Sequence, residues 1–228
     1  MTLLDQALPQ SREASRHALA TRAKTSHIGR DGAIFRQGDR MPMVLLLDGH
    51  GAFRRTTADG KVLIVGVANP GALIGLTSMS GVIGMVEMVA LTDAVVATWD
   101  GEDLRDLVGE DPELGLDVID SLSLFLVILT EKLDGYLHQG ARRRVIRVLA
   151  RHRELFFAEP PVLSRAHLPG LVGTSREMTG RVLRDLEREG AIARVGRAGL
   201  RLLDADRLSE VPEDDEPTTL NDRRGTFT

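Results

Sequence analysis

Three side chains set close together along the chain, Arg176, Glu177 and Arg181, have the types and spacing to read the edges of base pairs. A guanidinium offers a two-pronged donor to guanine O6 and N7, and a carboxylate accepts from cytosine N4. On a helix, steps of three and four residues gather Arg176, Glu177, Gly180, Arg181, Arg184 and Arg188 on one face. Gly180 leaves room there for a groove wall. The same residues also fit an ordinary solvated helix, with Glu177 closing a capping box and the arginines paired to Asp185, Glu187 and Glu189.

Reading bases requires elements that hold this face still. The stretch LSRAHLPGLVGTSREMTGRVLRDLEREGAI, residues 163 to 192, supplies a helix, a turn and a second helix. Ser164 is an N-cap, Leu168, Leu171 and Val172 give a short helix its apolar side, and Gly173 supplies the turn. Pro169 would remove a bond in the middle of that helix and predicts a short or kinked one. Thr174 stands three residues before Glu177, so the second helix is predicted to start at about Ser175 and to end at Gly190. Met178, Val182, Leu183 and Leu186 form its buried stripe. Residues 191 to 203 alternate around Gly196, Arg197, Ala198 and Gly199, a hairpin wing with Arg194, Arg197 and Arg201 free to meet a phosphate backbone. Thr174, Ser175, Arg184 and Arg197 are the candidate phosphate contacts.

VGTSREMTGRVLRDLEREGAI, residues 172 to 192, resembles the recognition-helix signature of the bacterial transcription regulators related to the cAMP receptor protein and the fumarate-nitrate regulator. In that family the arginine, glutamate and later arginine of S-R-E-x-x-G-R read bases, and Ser175, Arg176, Glu177, Gly180 and Arg181 match position by position. The likeness extends over about residues 1 to 210. It implies an α+β fold with an N-terminal antiparallel β-roll like a cyclic-nucleotide-binding domain, a long dimerisation helix and a C-terminal winged helix-turn-helix. The partners it implies are a second copy of the chain, a palindromic double-stranded DNA operator and RNA polymerase. The half-site should be of the cAMP receptor protein's TGTGA type, because the fumarate-nitrate regulator has a serine where Gly180 stands. The domains should run from 1 to 110, 111 to 138 and 139 to 210, with a disordered tail from 211 to 228.

A chain of 228 residues that is 43% hydrophobic can build two modest cores. It has no cysteine, which excludes disulfides and thiolate-held iron–sulfur clusters. No apolar run reaches membrane-spanning length and MTLLDQALPQSRE lacks the features of a signal peptide, so a cytoplasmic protein is expected. The net charge of −4 divides unevenly. Residues 141 to 210 carry 15 Lys+Arg against 9 Asp+Glu, residues 1 to 140 carry 12 against 19, and residues 211 to 228 carry 2 against 5. The positive excess lies where the reading helix lies.

Leu3 to about Lys24 reads as one or two short helices broken by Pro9. From His27 the texture becomes β-like, with runs at Val44 to Leu47, Val62 to Val67 and Leu91 to Trp99 and glycine turns at 38, 49, 60 and 71. Glu113 to Leu137 is a long helix. Val118, Leu122, Phe125, Leu129, Lys132 and Tyr136 alternate steps of four and three as a coiled-coil seam, and Ile119, Leu126 and Leu133 form a flank to pack on the roll. The other reading of so apolar a helix is an internal core helix. Gln139 and Gly140 form a hinge before the basic helix ARRRVIRVLARHRE, in which Val145, Val148 and Leu149 are apolar and the arginines solvated.

Cyclic-nucleotide-binding relatives hold ribose with a Gly-Glu pair and the cyclic phosphate with an Arg beside a small residue. Here those positions fall on Leu76 and on about Val86 and Glu87, and no basic residue stands between Lys61 and Arg105. A buried phosphate without a paired cation is costly, so cAMP is not expected to bind in the usual way. Leu73, Leu76, Met79, Ile83, Met85, Val86 and Met88, facing Phe125, Leu129 and Thr130, would line either a pocket for a small apolar effector or a self-filled core. A haem site, as in haem-sensing relatives, would rest on His50, read as the only histidine within the roll's strands. No cofactor or metal site and no catalytic constellation is recognised. A sensor whose winged domain binds protein instead of DNA is the alternative to a DNA-binding regulator.

Overall fold

Short aliphatic runs cut by Gly and Asp-Gly turns fold into two four-stranded antiparallel sheets in the computed structural model, which describes residues 2–209. Two short helices come first, α1 (Leu3–Ala7) and α2 (Glu13–Arg22), on either side of Pro9. The strands are β1 (Lys24–Ile28), β2 (Ala33–Phe35), β3 (Met43–Asp48), β4 (Gly51–Thr56), β5 (Val62–Ala68), β6 (Leu73–Ile74), β7 (Glu87–Ala90) and β8 (Ala94–Trp99). One sheet has the order β1-β8-β3-β6, the other β2-β7-β4-β5. The last strand is shorter than the sequence predicts, because Leu91 to Asp93 turn the chain between β7 and β8.

In β3 the side-chain period of two serves two cores. Met43 and Leu45 point to the covering helices, and Val44 and Leu46 point between the sheets. The space between the sheets is filled by Phe35, Phe53, Ile74, Met88 and Val96 among others. On the helix side, Trp99 is buried and its indole Nε1–H donates to the Leu19 carbonyl at 2.7 Å, pinning α2 to the end of β8.

α3 (Gly101–Glu110) leads into α4 (Pro112–His138), which starts with Asp111 as N-cap and proline in its first turn. Two buried carboxylates anchor the N-terminal segment to this junction. Asp117 accepts from the backbone N–H groups of Gln10 and Ser11, and Asp111 accepts from Arg12 N–H and the Ser15 hydroxyl. Burial raises the pKa of Asp111, but these donors together with Leu114 and Glu113 outweigh it and hold the group below the usual carboxylate value.

The predicted seam of α4 divides: Val118, Leu122 and Lys132 turn to the roll, whereas Phe125, Leu129 and Tyr136 stay exposed, and the predicted flank is open instead of packed. Leu114, Val118 and Leu122, a strict i, i+4, i+8 line, pack on the roll beside α3. Lys132 lies on the same side and donates from Nζ to the Val65 carbonyl at 2.7 Å. Ile119, Leu126 and Leu133 point away from the roll at 57, 61 and 56% exposure, in company with the half-exposed Phe125 and Leu129. The roll takes the first line together with Leu104 and Leu107 of α3, and the second line is left open.

At Gln139 and Gly140 the backbone becomes extended and breaks the helix. α5 (Ala141–Arg151) buries Val145, Ile146 and Leu149 and only partly Val148, one position away from the predicted set. α6 (Arg153–Phe156), α7 (Leu168–Val172), α8 (Arg176–Arg188), the hairpin β9 (Ile192–Val195) with β10 (Gly199–Leu202), and α9 (Asp206–Ser209) complete the described residues. Their core is continuous with the outer face of the second sheet through Ala52, Ile64, Val67 and Val89. The tail expected over 211–228 lies outside the described residues. Among the described residues no helix is long and apolar enough to cross a membrane.

Candidate nucleic-acid interface

The first helix of the reader forms without a kink. It begins only at Leu168, which puts Pro169 in the first turn, where the missing N–H has no helical partner to lose. Ser164 is not its cap. The Ser164 N–H donates to His167 Nδ1 at 2.9 Å, so the imidazole keeps its proton on Nε2, and burial lowers its pKa.

Gly173 follows in the left-handed region at φ 65° and turns the chain. The cap of the reading helix is Ser175, whose Oγ accepts from Met178 N–H at 3.1 Å. Thr174, the predicted capping residue, lies half-buried in the turn and its N–H donates to the Pro169 carbonyl. The predicted capping box is therefore absent, and Glu177 is free of it. Thr179, Val182, Leu183 and Leu186 are the buried stripe, with Thr179 inside where Met178 was expected.

The opposite face carries Arg176, Glu177, Arg181, Arg184 and Arg188, all exposed. A Cβ added to Gly180 would meet nothing within 4 Å, so the helix has an open notch between these side chains. Glu177 and Arg181 approach loosely at 3.4 Å, an exposed i, i+4 pair worth about 0.3–0.5 kcal/mol and easily given up to a base. The helix's other acids are engaged with other arginines than those at 176, 181 and 184. Asp185 pairs with Arg188, Glu187 with Arg194 and Glu189 with Arg142. Arg176 and Arg184 make no hydrogen bond or ion pair among the described residues.

The wing is braced from behind. Arg165 donates its backbone N–H to the Ala198 carbonyl at 3.0 Å and its guanidinium to the carbonyls of Gly196 and Arg197, leaving the Arg197 side chain exposed at the tip. The turn is braced too. Arg144 donates from Nε to the Val172 carbonyl at 3.1 Å and lies 5.7 Å over the Tyr136 ring, which itself packs on Gly173. These supports were missed in the sequence, where Tyr136 reads as seam and Arg144 as solvated charge. No local spacing connects residue 136 or 144 to residue 173.

The residues proposed for an effector do not line one cavity. Leu73, Leu76 and Met79 belong to the core between the first sheet and its helices. Met88 and Val86 belong to the core between the sheets, and Ile83 and Met85 are exposed on the loop before β7. Phe125, Leu129 and Thr130 point outward from α4. Glu87 pairs with Arg54 across β7 and β4 at 3.1 Å. His50, expected within a strand, stands instead in the turn between β3 and β4, its Nδ1 3.2 Å from the Asn69 side-chain oxygen and facing a cleft outside the roll, while the histidine within a strand is His27 of β1.

Residues 26–111 match the model of the cyclic nucleotide-binding domain and residues 138–211 that of the Crp-like helix-turn-helix domain. No curated protein sequence matches the chain. Among solved structures, the c-di-GMP responsive global regulator CLP of Xanthomonas campestris is similar at 21% identity and a TM-score of 0.71, over 84% of this chain and 99% of that one. FixK2 of Bradyrhizobium japonicum is similar at 20% identity and 0.69, over 82% and 96%. A CRP/FNR family transcriptional regulator of Thermus thermophilus is similar at 23% identity and 0.68, over 85% and 100%. At these identities the likenesses speak for the fold.

Proposed function

Because the chain joins a cyclic nucleotide-binding domain to a Crp-like helix-turn-helix domain and so belongs to the Crp/Fnr family of transcription regulators, we propose that it binds a palindromic DNA operator as a homodimer. Each subunit inserts α8 into the major groove. Arg176, Glu177 and Arg181 read base edges, and Thr174, Ser175, Arg184 and Arg197 hold phosphates. The observation that carries this reading is the exposed arginine face across the notch at Gly180, whose guanidiniums at 176 and 184 have no partner within the described chain.

The open apolar line of α4, Ile119, Leu126 and Leu133, supports pairing of two such helices about a two-fold axis, which matches the symmetry of a palindrome. Control is not by cAMP in the usual way. Leu76, Val86 and Glu87 stand at the positions of the nucleotide-holding residues, and Met88 and Phe53 fill the space between the sheets.

Fluorescence anisotropy with a duplex carrying inverted TGTGA half-sites, against a scrambled duplex at the same salt, tests the reading. The expected ratio of affinities is on the order of 10³ or more. Equal affinity for the two duplexes overturns it.

A further inference from the structure

A cleft of about 460 Å³ opens where the roll meets the reader domain, with His50 and Asn69 on one wall and Arg151, His152, Arg153 and Glu154 on the other. Its volume falls in the range of small-molecule sites, and it lies outside the packed interior of the roll.

The cations around it are crowded. Lys132 is pushed down to about 8, by burial first and then by the charge of Arg151. His152 is 5% exposed and pushed down to about 4 by burial, then by Arg151 and Lys132, and is therefore neutral near pH 7. Arg151 has the charge of Glu131 within reach and Glu154 lines the cleft, yet the guanidiniums of Arg151 and Arg153 form no hydrogen bond or close ion pair among the described residues. In the same domain Arg142, Arg144, Arg165, Arg181, Arg188, Arg194 and Arg207 are engaged, and the guanidiniums of Arg176, Arg184, Arg197 and Arg201, on the reading helix and wing, are open like these two.

We propose that this junction cleft binds a small organic phosphate, with Arg151 and Arg153 on the phosphate and His50 and Asn69 on its organic part. Two guanidiniums suit a phosphate because each offers paired donors to two oxygens. The cleft is larger than a lone phosphate and is lined in part by Ala150 and Leu155, which suits an organic body. A ligand held from both walls fastens the roll to the reader.

Isothermal titration of the full chain with phenyl phosphate and with inorganic phosphate, against sodium chloride at equal ionic strength, tests the site. Phenyl phosphate should bind saturably and more tightly than inorganic phosphate, and at least tenfold more weakly to Arg151→Ala and Arg153→Ala with melting temperature unchanged. Equal binding of the two phosphates overturns the organic part. Absence of saturable binding, binding unchanged in both variants, or loss of binding only in Arg176→Ala/Arg184→Ala overturns the site.

Discussion

The ring of Tyr136 fills the space beside Gly173, with Cε1 2.6 Å from where a Cβ on that glycine would stand. The long helix is thereby in direct contact with the turn between the two helices of the DNA reader.

Gly173→Ala should therefore destabilise the reader by about 2–3 kcal/mol, the sum of a left-handed backbone imposed on an L residue and a displaced ring. Thermal unfolding followed by circular dichroism measures it. Adding Tyr136→Ala should return part of the loss, and a double-mutant cycle with no coupling would show that the contact does not matter.

Arg181→Ala and Arg197→Ala should differ in kind. Loss of Arg181 should relax discrimination at one base pair by about 1–3 kcal/mol, whereas loss of Arg197 should weaken all duplexes alike and reduce the salt slope by about one. Anisotropy titrations of single-base operator variants at two salt concentrations separate the two effects.

Leu126→Asp puts a charge in the middle of the exposed apolar line of α4 without touching the side packed on the roll. Light scattering after gel filtration should show the parent chain as a dimer and the variant as a monomer. A dimeric variant would move the subunit contact elsewhere.

Stability should fall on acidification through His152. Its folded pKa of about 4 lies below the unfolded value near 6.5, so the unfolded chain binds the extra proton between those limits and stability rises with pH there. Between pH 7 and pH 5 the loss from this group is about 2 kcal/mol. Calorimetry of the parent and His152→Gln at both values checks it, since the variant should lose less on acidification.

The reader is legible in the sequence because its signals are local: a glycine that must turn and an apolar stripe at helical spacing. Even there the cap lies one residue later than Thr174, since serine and threonine are both competent and only the course of the turn decides between them. The faces of α4 are not legible. Val118 and Ile119 are equally apolar, and which one meets the roll depends on how α3 packs beside the helix. The effector residues fail for a related reason. Proximity along the sequence places Leu73 and Met88 together, but the alternation of strand faces sends Leu73 to the helix side, away from its neighbour Ile74, which shares the core between the sheets with Met88.

Trp99, whose indole is tied to the Leu19 carbonyl, is the chain's single tryptophan. Its emission is thus a built-in optical gauge of one half of the molecule. A red shift marks the parting of α2 from the roll and is blind to the melting of the DNA-reading half, whose unfolding must be followed by another signal.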